Sequence, residues 1–146
     1  MEKNIALTDK EVRFIEKMGL YYEDYGIPRI GGKILALLMA VEEPISAEQI
    51  SALLEVSRGS ISTNVRLLSS AGFLEKTTQK GERTDYFKIS EAAWENIIKL
   101  RIEGFQKLQE LVEEGPQNQK MQEMLAWTMA MTESHQALLE RWRKRK

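Results

Sequence analysis

The stretch Ser57-Arg58-Gly59-Ser60-Ile61-Ser62-Thr63-Asn64-Val65-Arg66-Leu67-Leu68 holds the residues of this 146-residue chain best suited to chemistry on a polyanion. Ile61, Val65 and Leu68 are spaced by four and three, so in a helix they share one apolar face. The opposite arc carries Gly59, Thr63, Arg66 and Ser70, flanked by Ser62 and Arg58, and it holds no Asp or Glu. A helix entering the DNA major groove needs such a surface. Small residues let its backbone approach phosphates, hydroxyls bond phosphates or bases, and an arginine pairs with guanine O6 and N7. A merely solvated face ordinarily carries Glu and Lys, which favour the helix and pair at i,i+4. Serine and glycine weaken a helix without structural return, which favours the DNA reading. Asn64 fits neither face. It falls toward the apolar side, either bonding a backbone group of a neighbouring turn or hairpin, or sitting partly exposed at the helix edge.

A second cationic element follows directly. Phe73 to Thr77 and Thr84 to Ile89 read as two strands joined by Thr78-Gln79-Lys80-Gly81-Glu82-Arg83, a polar hairpin with glycine near its tip. Between Ser57 and Ser90 the basic residues are Arg58, Arg66, Lys76, Lys80, Arg83 and Lys88, and the acidic ones Glu75, Glu82 and Asp85. That segment therefore carries +3, against −4 for residues 1 to 56, in a chain whose net charge is −1. A local basic footprint inside a neutral chain is what a DNA-facing surface leaves.

The elements that must position these groups can be read from caps and periodicity. Thr8-x-x-Glu11 is a capping box, followed by an apolar stripe of Val12, Ile15, Met18, Tyr22 and Tyr25 that Gly26 ends. Pro28 suits the first turn of a second helix, apolar nearly all round through Val41 and therefore buried. Gly31 and Gly32 cost helix propensity there but permit close backbone approach. Ser46-x-x-Gln49 opens a short third helix through Leu54, and Ser57 caps the fourth, which Gly72 stops as a C′ glycine. After the hairpin, Ser90 is expected to cap a long helix striped by Trp94, Ile98, Ile102, Phe105, Leu108 and Val112. Gly115-Pro116 turns the chain into a last helix with Met121, Met124, Leu125, Thr128, Met131, His135, Leu138 and Trp142. The expected fold is mainly α with a small β-wing, a winged helix-turn-helix over about 28–90. Amphipathic helices over 8–25 and 91–144 flank it, and their unpaired stripes call for a homodimer. All 146 residues are read as one domain.

Several function classes fall away. The chain has no cysteine, so disulfides, thiolate metal sites and cysteine redox sensing are excluded. The one histidine, His135, speaks against a histidine-ligated metal site and against a Ser-His-Asp triad. With no paired base and nucleophile, the chain is read as neither enzyme nor cofactor carrier. The longest apolar run, Ile34 to Val41, falls far short of the roughly 20 residues that span a bilayer. The start Met1-Glu2-Lys3-Asn4 leads into no signal-peptide core, so a cytoplasmic protein is expected.

The sequence resembles the MarR superfamily of winged-helix transcriptional regulators, and within it the GbsR-type branch. The residues carrying the resemblance are Gly26-Ile27-Pro28-Arg29-Ile30-Gly31-Gly32-Lys33, then Ser57 to Ser62 with Asn64-Val65-Arg66, then Gly72-Phe73-Leu74, then Gly81-Glu82-Arg83 and Asp85-Tyr86-Phe87. It covers roughly residues 12 to 90. The resemblance implies a homodimer that represses promoters by binding double-stranded DNA at an inverted repeat. It makes Arg83 the wing arginine that enters the minor groove, and Ser60, Ser62, Thr63 and Arg66 recognition-helix positions. With Ser57, Arg58, Gly59 and Lys80, and with Arg29 from the first matched segment, these form the candidate DNA-contacting set. Some members of this branch sense choline-like effectors, and Tyr22, Tyr25 and Trp94 are the candidate effector residues by that implication. Tyr21, Phe105 and Trp127 would extend an aromatic cage for a quaternary ammonium, although at helical spacing such aromatics more often pack. The basic end Arg141-Trp142-Arg143-Lys144-Arg145-Lys146 either suits the helix dipole or adds nonspecific phosphate contacts. The competing reading from another class is a winged-helix protein-interaction module that does not bind DNA.

Overall fold

The computed structural model describes residues 4–145. Helices α1 (Asp9–Asp24) and α2 (Arg29–Ala40) are followed by the short strand β1 (Ile45–Ser46), then α3 (Ala47–Leu54) and α4 (Arg58–Ser70). Strands β2 (Leu74–Thr78) and β3 (Asp85–Ile89) come next, and the helices α5 (Ala93–Glu114) and α6 (Gln119–Lys144) end the chain. The chain divides into two compact units, one through Glu91 and one from Ala92 onward.

In the first unit, α2 is the centre. Ile34 and Leu37 are fully buried and Leu35 and Leu38 nearly so, joined by Ile50 of α3, by Ile61, Val65 and Leu68 of α4, and by Ile45, Leu74 and Phe87 of the sheet. Each such side chain contributes about 1.5–3 kcal/mol by leaving water. Helix α1 packs on α2 and belongs to the same unit. Small residues set that crossing: a Cβ on Gly32 would lie 2.8 Å from the Tyr22 Cβ, and one on Gly19 would lie 2.7 Å from the Lys33 Cγ. Close backbone approach is present at Gly32, where the Met18 carbonyl oxygen would lie 3.1 Å from a Cβ, whereas Gly31 faces the side chains of Asn64 and Ile27.

The two capping boxes form as expected. Thr8 Oγ1 accepts from Glu11 N at 3.1 Å while Glu11 accepts from Thr8 N at 2.9 Å. Ser46 and Gln49 do the same at 3.2 and 2.9 Å. Pro28 stands at the N-cap of α2, immediately before the first turn in which it was expected. The strand β1 was not legible: two residues, Ile45 and Ser46, pair antiparallel with Phe87 and Tyr86. The sheet order is β1-β3-β2, with Leu74 opposite Ile89 and Thr78 opposite Asp85. Ser90 does not cap α5. The N-cap is Ala92 without a side-chain bond, and the Ser90 hydroxyl instead donates to Glu75 Oε1 across the hairpin, 3.2 Å away. A buried hydroxyl beside a strand carboxylate finds a stronger, charged acceptor there than a helix end two residues on.

The second unit is an α5–α6 pair. Ile98, Ile102 and Val112 of α5 are buried, as is Thr128 of α6. Asn118, not a residue of the Gly115-Pro116 turn, caps α6, its side chain accepting from Met121 N at 3.0 Å. Phe105 contacts Trp127 and His135 with ring centroids 5.6 and 5.2 Å apart, and His135 Nδ1 lies 2.8 Å from the Met131 carbonyl oxygen. His135 is thus a packing residue. Arg143 Nε donates to Glu95 Oε1 at 2.8 Å, tying the end of α6 to the start of α5. No helix among the described residues is long and apolar enough to cross a membrane.

Candidate nucleic-acid interface

The turn that aims α4 is built locally. Helix α3 ends at Glu55 in the left-handed region (φ 55°, ψ 46°), which reverses the chain within three residues. The Ser51 hydroxyl donates to the Val56 carbonyl at 2.6 Å, and Val56 N donates to the Ser51 carbonyl at 3.3 Å, so side chain and backbone lock the corner together. Ser57 then caps α4: its Oγ accepts from Ser60 N and lies 3.1 Å from Ser60 Oγ. Ser57 and Ser60 are therefore held by the helix start, which satisfies amide groups that would otherwise be orphaned.

Ile61, Val65 and Leu68 anchor α4 in the core, and Asn64 lies on the same side, only 8% exposed. Its amide donates to the Ser60 carbonyl at 2.9 Å, within its own helix and not to a hairpin or turn. Its Oδ1 would stand 3.1 Å from a Cβ on Gly31, so a glycine on α2 makes room for a polar side chain on α4. Both sequence-based options for Asn64 are thereby replaced by this helix-to-helix contact.

The outer arc is open. Arg58, Gly59, Ser62, Thr63, Arg66, Ser69 and Ser70 are all exposed. Arg66 Nη2 donates to Ser62 Oγ at 3.2 Å, which holds the guanidinium along the helix surface. Leu67, 50% exposed on the same helix, is an apolar member of that surface.

A groove of about 810 Å³ runs between α4 and the hairpin. Arg58, Ser62, Arg66 and Ser69 form one wall, and Lys76, Thr84 and Asp85 stand on the other. Lys76 reaches Asp85 at 3.9 Å, a loose exposed pair that leaves most of its charge free to act outward. The hairpin loop turns at Gly81 (φ 83°), with Glu82 N donating to the Gln79 carbonyl at 3.0 Å. Lys80 and Arg83 are exposed on this loop. The structure thus brings Arg58, Ser62 and Arg66 together along one groove, with Lys80 and Arg83 on the hairpin beside it. Lys76, named among the basic residues of this segment, belongs to the same surface, as do Ser69 and Thr84, which were not singled out from sequence. Ser69 follows Ser62 by seven residues, so extending the helical count by two turns would have found it.

Other candidate residues lie elsewhere. Arg29 is exposed at the start of α2 and pairs with Glu23 at 2.8 Å, which raises its already high pKa through that hydrogen bond. Tyr22 and Tyr25 are on α1, where Tyr21 packs against both at 5.2 and 4.9 Å. Burial, and then the neighbouring Tyr21, push the Tyr22 hydroxyl pKa up, whereas Tyr25 is 74% exposed. Trp94 belongs to the second unit, at the start of α5. Among the described residues no group of three or more His, Cys, Asp or Glu is placed to hold a metal ion.

Comparison with known proteins agrees with this geometry. Residues 32–83 match the family described as HTH domain, a span that runs from α2 to the hairpin loop. The chain is 34% identical over 105 residues to the HTH-type transcriptional regulator MmpR5 of Mycobacterium tuberculosis, an alignment covering 71% of this chain and 64% of that protein. It is 26% identical over 90 residues to the HTH-type transcriptional repressor OpcR of Bacillus subtilis, covering 62% of this chain and 49% of the repressor. The chain thus spans 49–64% of the length of these curated relatives. A crystal structure described as a transcriptional regulator superposes with a TM-score of 0.82 at 28% identity, covering 92% of this chain and 99% of that one. Helix-turn-helix, β-hairpin and flanking helices together make this chain a mainly α protein with the winged helix-turn-helix fold of transcriptional regulators.

Proposed function

We propose that the chain is a MarR-type, GbsR-branch transcriptional repressor that binds an inverted-repeat operator as a homodimer. The observation that carries this reading is the acid-free outer arc of α4, whose Arg58, Ser62 and Arg66 line an open groove with Lys76 and Thr84, the carboxylates of Glu48 and Asp85 lying on other elements of its lining. In this reading α4 lies in the major groove, and the exposed Arg83 of the hairpin reaches the adjacent minor groove, where negative potential attracts a long cation. The residue-by-residue resemblance to the MarR superfamily and the relation to a named repressor support repression over activation.

The dimer is supported by large apolar side chains left exposed in each unit. On α1 these include Val12, Phe14 and Leu20, and on α5 and α6 Leu111, Met124, Trp127 and Leu138. Such side chains are what a partner helix of a second copy would cover. Response to a small cationic ligand follows from the resemblance alone. Calorimetry with choline and glycine betaine tests it, and no heat with unaltered DNA binding removes it.

The decisive experiment is selection of bound sequences from random duplex DNA, followed by affinity across a salt series. An inverted repeat with half-sites roughly 10–10.5 bp apart, centre to centre, and a steep loss of affinity with salt are expected. No enrichment, and no duplex binding even at low salt, would move the protein-interaction reading ahead, with the exposed Leu67 as the first residue to examine.

A further inference from the structure

Tyr86 sits in β3, the central strand of the sheet, opposite Ser46 of β1 and Thr77 of β2. It is 4% exposed, yet its hydroxyl runs out along the hairpin and donates to Glu82 Oε2 at 2.6 Å. Glu82 is in the hairpin loop, next to Arg83. A hydrogen bond from a phenol to a carboxylate is short and strong when one partner is charged. It joins the loop of the wing to the strand that is paired on both sides.

We propose that Tyr86 and Glu82 form a latch that positions Arg83 for DNA, making both of them positioning residues. The inference rests on the DNA-binding reading given above. Two physical effects work together. The latch restrains the loop before binding, so less conformational freedom is lost when Arg83 docks. It also turns the Glu82 carboxylate inward to the Tyr86 hydroxyl. Set free, that carboxylate could pair with the neighbouring Arg83 guanidinium or face the phosphates, and either would oppose binding. An acidic residue beside the wing arginine, otherwise a liability on a DNA-facing loop, thereby acquires a role.

The test has two arms. In the first, limited trypsin digestion of the full chain measures cleavage after Lys80 and Arg83. Tyr86→Phe should speed cleavage at these bonds with a melting temperature near that of the parent. Glu82→Ala should match it, while Glu82→Gln, whose amide oxygen still accepts from the hydroxyl, should stay protected. In the second arm, duplex affinity is measured over a salt series. Tyr86→Phe should weaken binding by about threefold to tenfold, the range expected when one charged contact is impaired, and should add nothing in an Arg83→Ala background. Parent-like trypsin protection in Tyr86→Phe overturns the latch, whatever the DNA result. Parent-like affinity of Tyr86→Phe, while Arg83→Ala is weakened, overturns the positioning role. If Arg83→Ala binds like the parent, or the parent binds no duplex, the DNA reading of the wing fails and the positioning role falls with it, whereas the trypsin arm still reports on the latch.

Discussion

At the residue scale, the two arginines with the clearest claim on DNA differ in how they are held. Arg66 is steadied by Ser62 on a rigid helix, whereas Arg83 rides on a loop. Arg66→Ala should weaken binding and, where Arg66 reads a guanine, relax the preference at that position by about 1–3 kcal/mol. Arg83→Ala should weaken binding to many sequences alike and lower the log–log salt slope by about 0.9, one phosphate contact. Both side chains are exposed, so thermal melts should match the parent. An unchanged slope for a folded Arg83→Ala would take the wing off the DNA. The placement of Arg58, Ser62 and Arg66 on one polar helix face was legible in their types and spacing. What Asn64 does was not, because its partner space comes from Gly31, a residue more than thirty positions away on another helix.

At the element scale, two glycines in helices make opposite forecasts. Gly32→Ala gains about 1 kcal/mol of helix propensity. Its new Cβ would meet the Tyr22 Cβ at 2.8 Å and the Met18 carbonyl oxygen at 3.1 Å, neither of which can swing aside. Overpacking costs about 1–3 kcal/mol, so a net loss is expected, seen as a lower urea midpoint. Gly104, on an exposed stretch of α5 with nothing within 4 Å of its Cβ position, should instead gain up to about 1 kcal/mol as alanine. A gain at Gly32 would mean that α1 does not pack on α2 as closely as described. The α5–α6 pair has its own signature. The Arg143 hydrogen bond, then that of Lys99, lowers the pKa of Glu95 from its ordinary 4.5. A carboxylate pKa depressed in the folded state stabilises above the unfolded value, and the contribution is lost as pH falls through the depressed one. Arg143→Ala should therefore lower the melting temperature slightly at neutral pH, by an amount that vanishes in acid. A pH-independent difference would show that the loss is one of packing.

At the scale of the whole molecule, the exposed Met124 and Leu138 provide the test of association. Both are partly exposed on α6, so the double change Met124→Glu and Leu138→Glu should leave a folded chain that light scattering finds as a monomer, with DNA affinity reduced because one half-site is bound at a time. A folded double variant that remains dimeric would move the interface elsewhere. By itself, the sequence determined the order of the helices, the two capping boxes, the wing hairpin and the polar face of α4. Each depends on residues within about two turns or one hairpin of one another, where caps, glycines and apolar period act locally. Only the tertiary structure decided the pairing of Ile45 and Ser46 with β3, the turning of Ser90 to Glu75 instead of to α5, the nesting of Asn64 against Gly31, and the reach of Tyr86 to Glu82. In the first three the groups meet across at least fifteen residues of chain. In the fourth the separation is only four, but the direction of the tyrosine is set by the sheet that buries its ring. Polar side chains choose among competing partners by which ones the packed core brings within about 3 Å, and a local pattern cannot rank partners that only the folded chain assembles.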